Sequence, residues 1–528
     1  MSGSTFRWED AEVFASLANL LSLRQGACLG PTERGNKDTQ HATANGAPAC
    51  ARDTLKRRFL DSFAKVMSRS KGGKCVACVA LRESRNVDLE EPDGVKATLL
   101  VARNEVFEDV DFIFCNEIER LLAALGASAC KHTKDPVVEK ALWEAMLHYN
   151  GPRLKQYALD LQRSVLAFAG RGYLDRIPPY HLAQPVSNRL GIATFCDSDA
   201  IGSYCRATHD AYMRFAQAHL REFCNILSFG DRVVGRRHDR LTKKAHSIRH
   251  MKSIQIFIEA SCNDWDPIPK LLSSIQLLGR LKSCYHTLVE AAETIPGFAN
   301  LSIRLVNRPP SHKFLRNLPS LASLFTWLGL PFTLPTVRKY VGDTTIATIQ
   351  QDFGKLQEKS MFQTLSTHAE TQLVFYITQR TDLETMTKEF YPYIGCSKLC
   401  CFLCFTFLRF FGQRGPFFRV RGCHGRVHPR WSLPETKGLH VDMCIELHLA
   451  LGKTFHYMSR EMTKAVATCF PTTTGSSAGM TDDYSAPPPY IHDYHMKLAI
   501  QSKFHALRAA MAANWSKCAL VLLERLLS

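Results

Sequence analysis

Apolar residues recur at three- and four-residue spacing through much of the chain, and that period predicts helices over residues 6–23, 52–67, 137–148, 210–227 and 269–292. Two stretches depart from it. Residues 75–81 and 96–102 are β-prone runs on either side of the turn-rich 86–94, and together they read as an antiparallel pair. Another strand-like run follows at 301–306, ahead of several prolines. Further on, 393–396 and 417–420 read as strands, 401–411 as a buried helix and 437–470 as another helix. Gly, Pro, Asn and Thr crowd residues 25–50, a predicted loop, and turn-forming residues recur at 471–490, a predicted linker. The expected division is 1–73, helices and a loop; 74–105, a β-hairpin; 106–340, mostly helical; 341–440, a mixed domain; 441–470, a helix; 471–490, the linker; and 491–528, a helical tail.

Composition narrows the class without naming a function. With 528 residues, 45% hydrophobic and 22% charged, the chain has material for two or more cored domains. The formal net charge of +17 favours a polyanionic partner such as nucleic acid, or an anionic membrane surface; the alternative is simply a basic solvated surface. A nucleic acid or nucleotide substrate is the partner expected. A basic run, Arg232, Arg236, Arg237, Arg240, Lys243, Lys244, Arg249 and Lys252, faces only Asp231 and Asp239 within its own segment. The first 23 residues carry Arg7, Glu9, Asp10 and Glu12 and do not read as a secretory signal. The 19 Cys are therefore expected to stay reduced, in an intracellular protein of the cytoplasm or nucleus. No apolar run reaches the roughly 20 residues of a transmembrane segment. No nucleophile elbow and no glycine-rich phosphate loop is present. Oligomeric state is left open.

Three short pieces carry metal chemistry. They are His368-Ala369-Glu370, Cys401-x-x-Cys404, and His424-Gly425 running on to Trp431-Ser432-Leu433-Pro434. A Cys-x-x-Cys at a strand-to-helix turn places both sulfurs on one side, and the positive helix end favours thiolates there. With His368 they make three ligands for Zn2+ and leave a fourth position for water. Glu370 beside them has the reach of a proton carrier that does not ligate. Three alternatives stand next to this reading. Thr367 and Glu370 have the spacing of a capping box, which would make Glu370 structural. Cys396-x3-Cys400 is a second possible pair, though Cys401-x-x-Cys404 is preferred for its place on the helix. Cys401, Cys404, His424 and His428 resemble a closed two-Cys, two-His structural site. Cys75-x-x-Cys78 lies in a predicted strand, where residues three apart face opposite ways, and reads as core.

Taken together, His368, Ala369 and Glu370, then Ser397, Lys398, Cys401 and Cys404, then His424, Gly425, Trp431, Leu433 and Pro434 resemble the OTT-type deaminase-like family, common in fungi, of the cytidine-deaminase-like superfamily. The resemblance covers about residues 365–434. It implies an α/β fold, a three-layer α/β/α domain, here with a large mostly helical inserted region. It implies zinc on His368, Cys401 and Cys404, with Glu370 as proton shuttle. Cys400 stands where many deaminases have proline. The end of the second predicted strand, Ala102-Arg103-Asn104, resembles the segment whose Asn contacts substrate, so Asn104 joins Ser397, Lys398, His424 and Trp431 as a candidate substrate contact. The function expected is zinc-dependent hydrolytic deamination of a nucleobase, free or in nucleic acid. The alternatives are a non-catalytic deaminase-fold scaffold and a nucleic-acid-binding protein with a structural zinc site.

Overall fold

The structure, a computed structural model, describes residues 4–466 apart from 9, 25–50, 73–74, 86–94, 179–180, 184–201, 229–233, 263–269, 296, 310–314 and 413–416. The expected loop at 25–50, the turn at 86–94, the linker at 471–490 and the tail at 491–528 lie outside the described residues. So do Asp231 and Arg232 of the basic run.

Among the described residues there are six strands: β1 (Ser4–Phe6), β2 (Ala77–Arg85), β3 (Val95–Arg103), β4 (Ser302–Leu305), β5 (Phe390–Cys396) and β6 (Thr436–Leu439). Four of them form one sheet in the order β4-β3-β2-β5. β2 pairs antiparallel with both β3 and β5, and β4 runs parallel to β3. β1 and β6 form a separate two-stranded ribbon.

The sheet's two faces follow from the two-residue period of its strands. Ala77, Val79 and Leu81, with Ala97, Leu99 and Val101, share a core with Leu60 and Phe63 of the Ala51–Met67 helix and with Leu288 of the Leu271–Thr294 helix. Cys78, Ala80, Leu100 and Ala102 share a second core with Leu373 of the Ala369–Thr378 helix and Phe407 of the Phe402–Phe410 helix. The molecule is thus mixed α/β, with helices on both faces of one sheet. The Ala51–Met67 helix comes so near β5 that a Cβ on Gly395 would lie 2.2 Å from the Leu60 carbonyl carbon.

A buried polar knot fixes the end of β3. Arg103 donates to both carboxylate oxygens of Asp111, at 2.9 and 2.6 Å, and the two side chains are 2% and 0% exposed. The Tyr149 hydroxyl and the Glu108 N–H add bonds of 2.7 and 2.6 Å to the same carboxylate. Burial alone would raise the Asp111 pKa, but these donors outweigh it and hold the group below its ordinary value. Asp111 also closes a capping box with Glu108 at the start of the Asp109–Cys130 helix.

Three expectations need correction. The helix expected over 6–23 is β1 followed by a helix at Ala11–Leu23, because Asp10 takes a left-handed conformation (φ 55) and interrupts the period. The helix expected over 437–470 begins as strand β6, with Gly438 at φ 76, before the Val441–Met462 helix. The strand expected at 417–420 is a single parallel bridge between Arg419 and Tyr393. The basic run is also less bare than its own segment suggests. Lys244 pairs with Glu222 from the preceding helix and Lys243 with Asp239 at 2.9 Å, while Arg236 and Arg240 remain exposed. Among the described residues no helix is long and apolar enough to cross a membrane.

Candidate metal centre

Backbone bridges gather the three motif pieces into one place. Ser366 pairs with Trp431, and Cys400 with Cys423, each as an isolated parallel bridge. The first docks the His-Ala-Glu segment on the Trp431 segment; the second docks the start of the Cys-x-x-Cys helix on the His424 segment. His368 is the residue before the Ala369–Thr378 helix and occupies its N-cap position, but its ring does not cap it. Asn104 does so from the end of β3: its Oδ1 accepts the Ala369 N–H at 2.8 Å. Gln372 ties the same two segments, donating to the carbonyls of Arg103 and Thr367 at 3.1 and 2.8 Å. The capping box that Thr367 and Glu370 offered as an alternative does not form: the N-cap position is His368. Thr367 Oγ1 instead lies 3.4 Å from Ser432 Oγ, and an external cap has taken its place.

These constraints bring His368, Cys401 and Cys404 together. His368 Nδ1 lies 3.5 Å from Cys401 Sγ and 3.4 Å from Cys404 Sγ. Cys401 is the N-cap of the Phe402–Phe410 helix, and its sulfur accepts the Cys404 N–H at 3.3 Å. An imidazole nitrogen and a thiolate on one tetrahedral zinc stand about 3.6 Å apart, so the spacing fits that ion. The donor chemistry fits as well: two soft sulfurs and one imidazole. Burial disfavours a Cys401 thiolate, but the Cys404 and His368 hydrogen bonds outweigh it and bring this pKa well below its ordinary value. Burial likewise opposes a charged His368, and the neighbouring Cys401 overcomes it, so the His368 pKa is raised. Cys404 is pushed well up, by burial and then by Cys401. The sulfurs are buried, while His368 is only partly so.

Glu370, 3% exposed, sits behind this set, and its Oε2 has no hydrogen-bond partner. Burial raises its pKa above the usual carboxylate value, against the opposing pull of His368. On its other side is a row of thiols, with Cys78 Sγ 3.5 Å from Cys396 Sγ and Cys396 Sγ 3.8 Å from Cys400 Sγ. Among the described residues, two sets of ligand atoms close to within 4.8 Å: His368, Cys401 and Cys404; and Cys78, Glu370 and Cys396. Neither includes His424 or His428. The rings of His424 and His428 stand 5.8 Å apart, and His428 is 5.1 Å from His368, a second row rather than part of the set. Burial lowers the pKa of both.

The other candidates are placed as follows. Ser397 is buried, and its hydroxyl accepts the Ala77 N–H at 3.0 Å, clasping β5 to β2. Lys398 donates to the Gly72 carbonyl at 2.5 Å. His424 Nδ1 accepts the Arg426 N–H at 3.1 Å. Trp431 is 1% exposed, stacks on Phe14 at 5.4 Å and donates its indole N–H to Cys404 Sγ at 3.2 Å. Sequence reasoning missed that last bond, the thiol row that includes Cys78, and Arg308. Arg308 donates to Ser366 Oγ at 3.5 Å, and its charge opposes protonation of His368. No local spacing signals any of the three, because each joins segments far apart in the chain.

No curated protein and no solved structure matches the chain. Residues 367–435 match a family model described as an OTT_1508-like deaminase. The matched residues include His368, Glu370, Cys401, Cys404, His424 and Trp431. Through this segment the chain carries a deaminase-like region of the OTT type.

Proposed function

We propose that the protein is a zinc-dependent hydrolytic deaminase of a nucleobase, free or within nucleic acid. The observation that carries this reading is His368 Nδ1 at 3.5 and 3.4 Å from two buried sulfurs with the desolvated Glu370 behind them. In this reading His368, Cys401 and Cys404 hold the ion, which when bound supplies a Lewis acid able to acidify water to near neutrality. Glu370 moves the protons. Its raised pKa suits a group that carries the two protons of water in turn, the first to a ring nitrogen and the second to the amine that departs as ammonia. Asn104 acts as the external cap that aims the His-Ala-Glu turn. The pairing of β2 with both β3 and β5 supports a three-layer deaminase domain that uses the 74–105 hairpin, with the helical region inserted after it.

The test is ammonia release from free bases, nucleosides and single-stranded oligonucleotides, with wild type beside Glu370→Gln. The variant is expected to keep its zinc and fold and to lose about 10²–10⁴-fold in turnover. Turnover untouched by the change would defeat the assignment of Glu370. Wild-type protein that holds zinc but releases no ammonia from any of these would leave the scaffold reading in its place.

Trp431→Phe tests the indole bond to Cys404. The ring keeps most of its packing, so the melting temperature should change little. Loss of the donor should weaken zinc binding about 10–100-fold, measured by chelator competition. Unchanged affinity would make Trp431 a packing residue only.

A further inference from the structure

On the sheet face opposite the His-Ala-Glu helix, cations line a narrow cleft between the Ala51–Met67, Gly151–Gly170 and Leu271–Thr294 helices. Its wall includes Lys65, Asn150, Arg153, Tyr157, Arg280 and Cys284. Arg421 stands beside it, and its charge acts on both Lys65 and Arg280. Arg153 is committed to the chain: its Nη1 donates to the carbonyls of Lys65 and Ser68 at 2.6 and 2.7 Å. Asp61 is the acid acting on Lys65, and it is already engaged. It accepts from the Cys396 N–H at 2.9 Å and the Tyr393 hydroxyl at 3.0 Å, and lies 4.0 Å from Arg421.

Lys65 and Arg280 make no ion pair or side-chain hydrogen bond among the described residues. Burial brings the Lys65 pKa down to about 8, with Arg421 adding to the effect. Burial lowers Arg280 too, followed by Arg421 and Arg153. Like charges in desolvated surroundings repel one another unless an anion joins them.

We propose that this cleft binds one phosphate group. Arg280 offers a planar fork and Lys65 a point charge, the two recurring ways in which side chains hold phosphate oxygens. The cleft has room for little more than a water-sized body as it stands. Lys65 and Arg280 are only partly buried, so binding the larger anion requires both side chains to turn outward toward solvent. The site does not depend on the zinc reading.

The experiment is equilibrium dialysis of the full chain against labelled pyrophosphate, with parallel thermal melts, at about 0.15 M salt to screen exposed charges. One pyrophosphate per chain is expected, with a melting temperature that climbs as free pyrophosphate rises above its Kd. Arg280→Gln should weaken binding by about tenfold or more, as loss of a charged hydrogen-bond partner does. Arg240→Gln, which removes the same charge from an exposed helix position, should not. Without pyrophosphate, Arg280→Gln should melt no lower than wild type, because one of the repelling charges is gone. If Arg280→Gln fails to fold, Lys65→Met serves in its place. Absence of saturable binding, or equal weakening by Arg240→Gln, overturns the proposal. Competition by a 5′-phosphorylated dinucleotide but not by its 5′-hydroxyl counterpart would identify a strand end as the source. Competition by neither would identify a small free anion.

Discussion

Purified His368→Ala is expected to carry almost no zinc, against about one ion per wild-type chain. The imidazole nitrogen lies within 3.5 Å of both sulfurs, so its removal leaves two candidate ligand atoms where three are gathered. It also leaves Cys401, at 3% exposure, without the cationic neighbour that favours its thiolate. His428, with its ring 5.1 Å from that of His368, is the group placed to substitute. The matched control is therefore His428→Ala, which should keep the ion. Metal analysis of both variants decides the matter. Zinc retained by His368→Ala and lost by His428→Ala would establish a closed site on the Cys and downstream His pairs, and the deaminase reading would fall.

That His368, Cys401 and Cys404 come together is legible in the sequence, because the geometry of each piece is local. A Cys-x-x-Cys at a strand-to-helix turn and a His before a helix need only short-range geometry to present their atoms. The main strands are legible as short β-prone apolar runs, two of them bounded by turn residues, and β2, β3, β4 and β5 lie within a few residues of the runs that predict them. What escaped was non-local. The β1–β6 ribbon joins the two sides of the helical region, and three-residue β1 is too short to show a period. Asn104 reads equally well as a turn residue or a substrate contact until Ala369 is seen to donate to it. Trp431, a candidate substrate contact from the sequence, lies in the core, and its bond to Cys404 becomes visible only when the two segments meet.

Gly395→Ala is expected to destabilise the fold by about 3 kcal/mol or more, at or beyond the upper end of ordinary overpacking. The added methyl would sit 2.2 Å from the Leu60 carbonyl carbon and 2.5 Å from its oxygen, and both are backbone atoms that no rotamer can move aside. The Ala51–Met67 helix would have to lift from β5. That movement would disturb the Asp61 bonds to Tyr393 and Cys396 and, through the end of β5, the turn that carries Cys401. Zinc content should fall together with the urea midpoint. Gly452→Ala is the companion: it lies exposed in the Val441–Met462 helix with nothing within 4 Å of its would-be Cβ, and should be neutral or slightly stabilising. A Gly395→Ala protein as stable as wild type would mean that the helix and strand are not in contact at this point.

The clasp between Ser397 and Ala77 spans 320 positions of chain. At ordinary translation speeds of about 5–20 residues per second, β2 emerges from the ribosome roughly 15–60 s before its partner β5 exists. During that interval one edge of the β2–β3 hairpin presents unpaired backbone groups, the kind of edge that recruits foreign strands. The sheet can close, and Cys401 can meet His368, only after about three-quarters of the chain has been made. If His368, Cys401 and Cys404 hold zinc as proposed, the ion can be bound only late in synthesis. Shielding of the waiting hairpin, by the helices folding in between or by a chaperone, is expected to govern how much of the newly made protein matures.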